Sequence, residues 1–587
     1  MKLALILMTP APFSLALLSS PLLNSAQEPE VPVLPELAEE QDFLDPASMI
    51  EGAAAELAPL GYNLGDGPVS VSQLARSQAV GPLIQESERA LSAEYIELLV
   101  RLNEMFRFGK LSSEELRQEI GRLGASQYLA YYEPVGNELV FLTGELNDDD
   151  PLETTVRNPF GVPEEFLLES VVLHELVHAW RDRQIDLGEW TAGRGRSRDE
   201  AVVRACLSEG EAQIVATAAL LARTGQDLSI VPTDAPLQVT LGSLSLLLPY
   251  EFGQRLQLRK WNAGGFEAVR KSFEEPLTSS EQVLHATKEG VDLPREVPVP
   301  SWPAEGLGEA ELVHADTLGE LTSLAMLLEA GASVVEARVA GCGWDGDSIA
   351  LYRTPKEDVV VWRSVWDRPE DAEQFAKQLE RHARGDAQVR GQIVDWVSAK
   401  RKSTRNALLE HLAGEVFEVE FSEDDARTTE LAEEVLDTSR SRLKDGRWLA
   451  PDAGLSMAAP DGWELDEVNG ITLLRDEPKD GFADNFTAAA NVVPESTTIE
   501  EVEKATVEQL EAFGLSLLAS EIVERSNGER WYEFEYSGSM GEFDLHWLGQ
   551  VVLHDGQQRI LTATVLETRW EAMEALVRES LTQVEVL

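Results

Sequence analysis

Cysteine is nearly absent: Cys206 and Cys342 are the only two in 587 residues, too few for a disulfide framework. Both are expected as buried small side chains, since Cys206 falls in a helical run with no second cysteine nearby. Positive charge is scarce as well, with 49 Lys plus Arg against 104 Asp plus Glu and a formal charge of −55. A nucleic-acid binder needs a basic stripe and a reader of anionic lipid needs a polybasic patch, so both partner classes are excluded. Long apolar runs are missing too. Beyond the first few tens of residues nothing approaches about 18 unbroken apolar positions, so no membrane insertion is expected once a leader is removed. No repeat of fixed period is visible. What the chain does hold is apolar material: 43% hydrophobic residues and 13 Trp are enough for several cores and rule out a disordered acidic chain. The length suggests about three or four domains.

The amino terminus reads Met1-Lys2, then apolar runs Leu3 to Met8 and Phe13 to Leu23 broken by Pro10, Pro12 and Pro21, then Ser25-Ala26. This is the pattern of a secretory signal peptide over residues 1–26, and it predicts an exported protein, periplasmic or extracellular. Residues 27–45 alternate proline with acid and read as an extended linker. Further proline punctuation at Pro298, Pro300 and Pro303, and the Asp445-Gly446 turn, divide the rest into 46–300, 301–440 and 446–587. Within the first block, Ile84 to Phe106 and Ser112 to Leu123 are helical, and 128–142 is a hairpin turning at Pro134-Val135-Gly136-Asn137.

The chemistry centres on Val-Val-Leu-His-Glu-Leu-Val-His-Ala-Trp at 171–180. His174-Glu175-x-x-His178 is the HExxH pattern: on a helix, two imidazoles four residues apart share a face and can hold one metal, with Glu175 beside it as general base. The uncharged flanks suit a helix buried at the floor of a cleft. A catalytic zinc needs a third protein ligand. A metzincin continuation fails, because Arg181 stands where glycine would be and Gln184 where the third histidine would be. The helix from Asp199 onward offers carboxylates instead. On a helical wheel Glu209 shares its face with Val202, Ala205, Cys206, Ala212, Ala216 and Leu220, whereas Glu211 shares one with Glu200 and Arg204, the pattern of a solvated ion pair. A lone acid on a small apolar face must find a cation, so Glu209 is the expected third ligand, and Gly210 would let the metal-bearing helix approach.

These residues resemble the gluzincin branch of zinc metallopeptidases, in which HExxH is followed by a glutamate in an E-G-x-A context. The order HELVHAWRDRQIDL, LSEGEA, PYEFG (249–253) and SSEQVLH (279–285) is similar to a group of exported gluzincin-like proteins, over about residues 120–290. The resemblance implies a zincin fold, a twisted sheet whose edge strand lies above the active-site helix, and a Zn2+ cofactor on His174, His178 and Glu209. It also implies a peptide or protein substrate, which could add as a strand to the 128–142 hairpin edge. By the same analogy Tyr250 and His285 are candidate catalytic donors to the oxyanion, with Tyr131 and Tyr132 behind them. Asp199 would orient a metal-bound imidazole or cap its helix.

The remainder carries no catalytic constellation. Residues 301–440 mix helices (317–331, 370–384, 423–437) with strands (348–352, 358–365, 415–420). The Gly343-Trp344-Asp345-Gly346-Asp347 turn reads as a tight turn before a strand, with a calcium loop as the sharper alternative. Residues 446–587, three strands, a helix, four strands and a closing helix, resemble PsbP-like α/β/α modules. Their His546 and His554, eight apart on presumed strands, fall on one face. The expected architecture is therefore α+β: a zincin-like peptidase domain, an α+β middle segment and an α/β/α carboxy-terminal domain. The expected function is zinc-dependent peptide hydrolysis; the alternative is a non-catalytic surface or binding protein on a zincin scaffold.

Overall fold

The computed structural model describes residues 46–144 (except 66), 164–191, 196–231 (except 224), 244–415 (except 304), 417, 419, 422, 424–427, 429, and 441–587 apart from 445, 469–470, 480–481, 494–496, 513–514, 526–527, 541–542 and 555. The expected signal peptide, the linker and the helix over 423–437 fall wholly or mostly outside them. The fold is mixed α+β with several sheets. It separates into two compact units, one taking in Gln41–Leu228 and Val239–Glu433, the other Glu434–Leu587. The first unit thus runs straight across the expected boundary near 300.

In that first unit the hairpin forms as expected. Strand β2 (Ala130–Glu133) turns through Asn137, left-handed at φ 48°, into strand β3 (Glu138–Thr143). Asparagine tolerates that conformation because its short amide bonds locally. A strand that polar alternation hid, β1 (Ser70–Ala75), lies parallel to β3, giving the order β1-β3-β2 and leaving β2 at an edge. The long helix Glu164–Ile185 packs by this edge, and its apolar wrap is explained by burial: Val172, Leu173, Leu176, Val177 and Ala179 are all within the core.

Helix Arg198–Ala222 begins at a capping box, with Ser197 accepting from Glu200 N–H and Glu200 reaching back. Ser197 therefore takes the N-cap expected of Asp199. Asp199 is buried and instead accepts the Ser280 N–H at 3.1 and 3.2 Å, serving the start of the short helix Ser280–Leu284. Helix Leu244–Lys271 crosses Arg198–Ala222 at backbone contact: a Cβ at Gly210 would sit 2.1 Å from Gly253 O, and one at Gly253 would sit 2.1 Å from Cys206 O. Gly210 does permit a close approach, but of this helix rather than of the metal-bearing one.

The first unit is completed by a second, antiparallel sheet of order β4-β5-β6-β8-β7, built from β4 (Glu311–Asp316), β5 (Trp344–Arg353), β6 (Asp358–Trp366), β7 (Asp386–Arg390) and β8 (Ile393–Ser398). Helices Gly319–Glu329 and Pro369–His382 are close to expectation, while the expected strand at 415–420 is not formed at its described positions. The Trp344-Asp345-Gly346-Asp347 segment is the bulged start of β5 rather than a free turn. Asp347 accepts the N–H groups of Leu318 and Gly319, both at 2.9 Å, so it tethers a helix start and is no ion ligand.

The second unit holds a seven-stranded sheet built from β9 (Glu464–Val468), β10 (Ile471–Arg475), β11 (Asn485–Val492), β12 (Ser516–Glu524), β13 (Arg530–Met540), β14 (Phe543–His554) and β15 (Gln557–Leu566), in the order β9-β10-β11-β15-β14-β13-β12, with helices Ile499–Ala512 and Trp570–Thr582. The order of three strands, a helix, four strands and a closing helix holds for this sheet alone; a four-stranded sheet of Arg442–Lys444, Arg447–Ala450, Leu455–Ala458 and Glu585–Val586 falls outside the expected pattern. His546 and His554 share one strand but not one environment. His546 is buried between Glu535 and Glu567, both at 2.9 Å, and stacks on Trp570, whereas His554 is half-buried. Both cysteines are buried, and neither is in a disulfide. Among the described residues no helix is long and apolar enough to cross a membrane.

Candidate metal centre

Helix Glu164–Ile185 presents His174 and His178 one turn apart, and helix Arg198–Ala222 brings Glu209 to the same point. His174 Nε2 and His178 Nε2 are 3.1 Å apart, and Glu209 Oε2 lies 3.1 Å from the first and 3.3 Å from the second. These three atoms form one of the groupings able to hold a metal ion. Zinc takes nitrogen and oxygen ligands at about 2.0–2.1 Å, so the edges of its coordination tetrahedron measure roughly 3.3 Å. The observed triangle fits one face of that tetrahedron.

The surroundings hold the triangle in place. Ser208 Oγ lies 3.2 Å from His178 Nδ1, which orients the ring so that Nε2 faces Glu209. Glu175, 3% exposed, accepts the backbone N–H of Tyr132 on β2 at Oε2, 2.9 Å away. Burial pushes its pKa up to about 7, with the charge of Glu209 adding to the effect and His178 opposing it. Burial works against protonation of both imidazoles. At His174 it wins and lowers the pKa; at His178 the Glu209 carboxylate overrides it and raises the pKa to about 9. Burial would raise Glu209 as well, but the two histidines outweigh it and hold it at about 2.

Sequence-expected residues divide here. Tyr250 is brought in: its ring stacks beside His174 at 6.0 Å and its hydroxyl hydrogen-bonds Glu209, while burial drives its pKa well above the usual tyrosine value. The Gly210–Gly253 crossing makes this possible by setting Pro249-Tyr250 against the Glu209 turn. The structure does not bring His285 to the cluster. Its Nε2 pairs with Glu320 Oε1 at 2.8 Å, both residues buried. Tyr131 packs into the small core around Leu83 and Val140. Tyr132 directs its hydroxyl to Asp182 at 2.8 Å, and its contribution to the site is the backbone N–H. That N–H is therefore not free for a substrate strand while it holds Glu175.

Glu211 is not solvated. It is 1% exposed and receives Arg181 Nε at 2.8 Å and the Tyr62 hydroxyl at 2.8 Å. Arg181 in turn lies over the Phe273 ring, 3.7 Å from its centroid. The residue that breaks the metzincin spacing is thus a buried cation tying the two site helices together. Its sequence signal was an arginine directly after the uncharged stretch Leu176-Val177-His178-Ala179-Trp180.

Comparison with known proteins matches residues 309–435 to a domain of unknown function, DUF8575. The metal-site residues lie outside that span. No curated protein matches the chain. Among solved structures, the cyanobacterial PsbP (CyanoP) of Synechocystis sp. PCC 6803 is similar at 18% identity and a TM-score of 0.21, over 24% of this chain and 91% of that one. A protein of unknown function from Pseudomonas aeruginosa, PA94, is similar at 14% identity and a TM-score of 0.18, over 22% of this chain and 87% of that one.

Proposed function

We propose that the chain is an exported zinc-dependent peptidase of gluzincin type, with a zincin-like arrangement of sheet edge and site helices in its first unit. The observation that carries this reading is the triangle of His174 Nε2, His178 Nε2 and Glu209 Oε2, with Glu175 buried on the same helix. Export rests on the 1–26 pattern, and the excess of acid suits a strongly hydrated surface.

Bound at that triangle, zinc would supply a Lewis acid and bring the pKa of a water within reach of neutral pH. Glu175 would take the proton of the attacking water and return it to the leaving amine, a task suited to a carboxylate whose pKa is about 7, because both forms are populated near neutrality. Tyr132 N–H fixes the carboxylate at Oε2 and so sets the direction of that transfer. Tyr250, kept protonated by burial, would donate its hydroxyl hydrogen bond, first to Glu209 and then to charge developing on a substrate carbonyl.

Metal uptake displaces a proton from His178. Because that pKa stands at about 9 in the metal-free site, zinc affinity is expected to climb with pH by up to about tenfold per unit and to level off above it. Competition titration against a chromophoric chelator reads this slope; a flat profile from neutrality to about 9 would contradict it. The function itself is tested by digesting a peptide library with the full chain. Cleavage should stop on chelation and return with zinc, and a zinc-loaded chain that leaves the library intact would sink the proposal.

A further inference from the structure

A second group of side chains stands apart from the metal centre. Asp292, Asp345, Asp367 and Asp425 each place a carboxylate oxygen within 4.8 Å of the others. They come from four places in the chain: the turn after helix Ser280–Leu284, the bulged start of β5, the residue after β6, and the 424–427 turn of helix. Asp292, Asp345 and Asp367 are at most 2% exposed.

Part of this charge is answered by protein cations. Lys288, fully buried, binds Glu281, lies 2.6 Å from Asp367 Oδ2 and 3.2 Å from Asp292 Oδ2. Arg295 binds Asp345 Oδ2 and reaches Asp425 at 3.3 Å. The oxygens that these cations leave over are the informative ones. Asp345 Oδ1 and Asp367 Oδ1 are buried and have no hydrogen-bond partner among the described residues. An unsatisfied carboxylate oxygen in a dry interior costs several times more than the hydrogen bond it lacks, unless a cation meets it.

We infer that Asp292, Asp345, Asp367 and Asp425 form a second cation site, for a hard divalent ion of the calcium class. The donor set is all oxygen, which selects calcium or magnesium over zinc. Calcium–oxygen distances of about 2.3–2.6 Å put opposite ligands roughly 4.8 Å apart, so four oxygens that all lie within 4.8 Å of one another can share one coordination sphere. The ion would pin the 288–295 turn, whose Arg295 N–H already binds Asp345 O at 2.6 Å, to the segment matched by the domain of unknown function. Asp345, not Asp347, is the ligand that the Trp-Asp-Gly-Asp segment contributes.

Terbium alone, titrated into the zinc-loaded full chain, tests this, because Trp344 and Trp366 directly precede Asp345 and Asp367 and can sensitise its emission. The expected result is sensitised emission saturating at one terbium per chain and displaced by calcium, and a calcium-dependent rise in Tm. Asp345→Asn with Asp367→Asn should weaken binding at least about tenfold while zinc content stays unchanged. Since substituting two buried acids can compromise folding, the half-exposed ligand is tested separately by Asp425→Asn, which should also weaken terbium binding. No sensitised emission and no effect of calcium on Tm would overturn the site, as would emission of equal strength in the folded Asp425→Asn chain.

Discussion

Glu175→Gln is expected to lower peptide hydrolysis by roughly 10²–10⁴-fold while metal content stays at the wild-type level. The amide keeps the shape of the carboxylate and can still accept the Tyr132 N–H that Oε2 accepts now at 2.9 Å. It cannot take a proton from water. The corners of the triangle are His174, His178 and Glu209, so the change leaves all three in place. It also removes a buried acid whose ionisation is opposed by burial, so the variant should fold at least as well as the wild type. Parallel measurement of zinc by atomic emission and of cleavage of a selected library peptide separates the two effects. Loss of metal together with activity would make Glu175 a structural partner of the triangle instead of a base; full activity would remove it from the chemistry.

The second large effect is structural. Gly253→Ala should destabilise the first unit by about 3 kcal/mol, the upper range for overpacking a closed contact. The new Cβ would lie 2.1 Å from Cys206 O, a backbone atom that cannot turn aside, so the two helices must part. Parting them moves the Glu209 turn, which sits between Cys206 and the Gly210 contact, and zinc affinity should fall along with Tm. Gly52→Ala, in helix Pro46–Leu57 with nothing within 4 Å of its Cβ, is the control. It should be neutral or stabilising by about 0.4–1 kcal/mol through the unfolded chain. Denaturation of both variants followed by circular dichroism decides; equal midpoints would mean that the close crossing is not formed.

The parts of this site that could be read from sequence are those that depend on local periodicity. His174 and His178 are one turn apart on any helix, and the apolar wrap around them can only be a buried one. The helical wheel separated Glu209 from Glu211 correctly as to direction, yet misread what Glu211 meets. Its face is not water but Arg181 and Tyr62, and Tyr62 lies 149 residues away. His285 failed for the same reason: a histidine in a family-like phrase carries no label for the buried Glu320 that claims it. The Asp345 cluster is a still purer case, since its four acids come from separated segments and each alone looks like a turn residue. In the fold, apolar and aromatic runs exposed the hairpin, β5 and β6, while β1, with its polar and largely exposed SVSQLA, took its place only through pairing with β3.

The central claim is that three side chains hold one catalytic metal, and the metal content of the full chain tests it most directly. Purified without added metal and dialysed, the wild type should carry about one zinc per chain, and Glu209→Ala, which removes one corner of the triangle, should lose it. A folded wild-type chain that cannot be loaded with zinc, or a Glu209→Ala chain that holds it as tightly, would contradict the account.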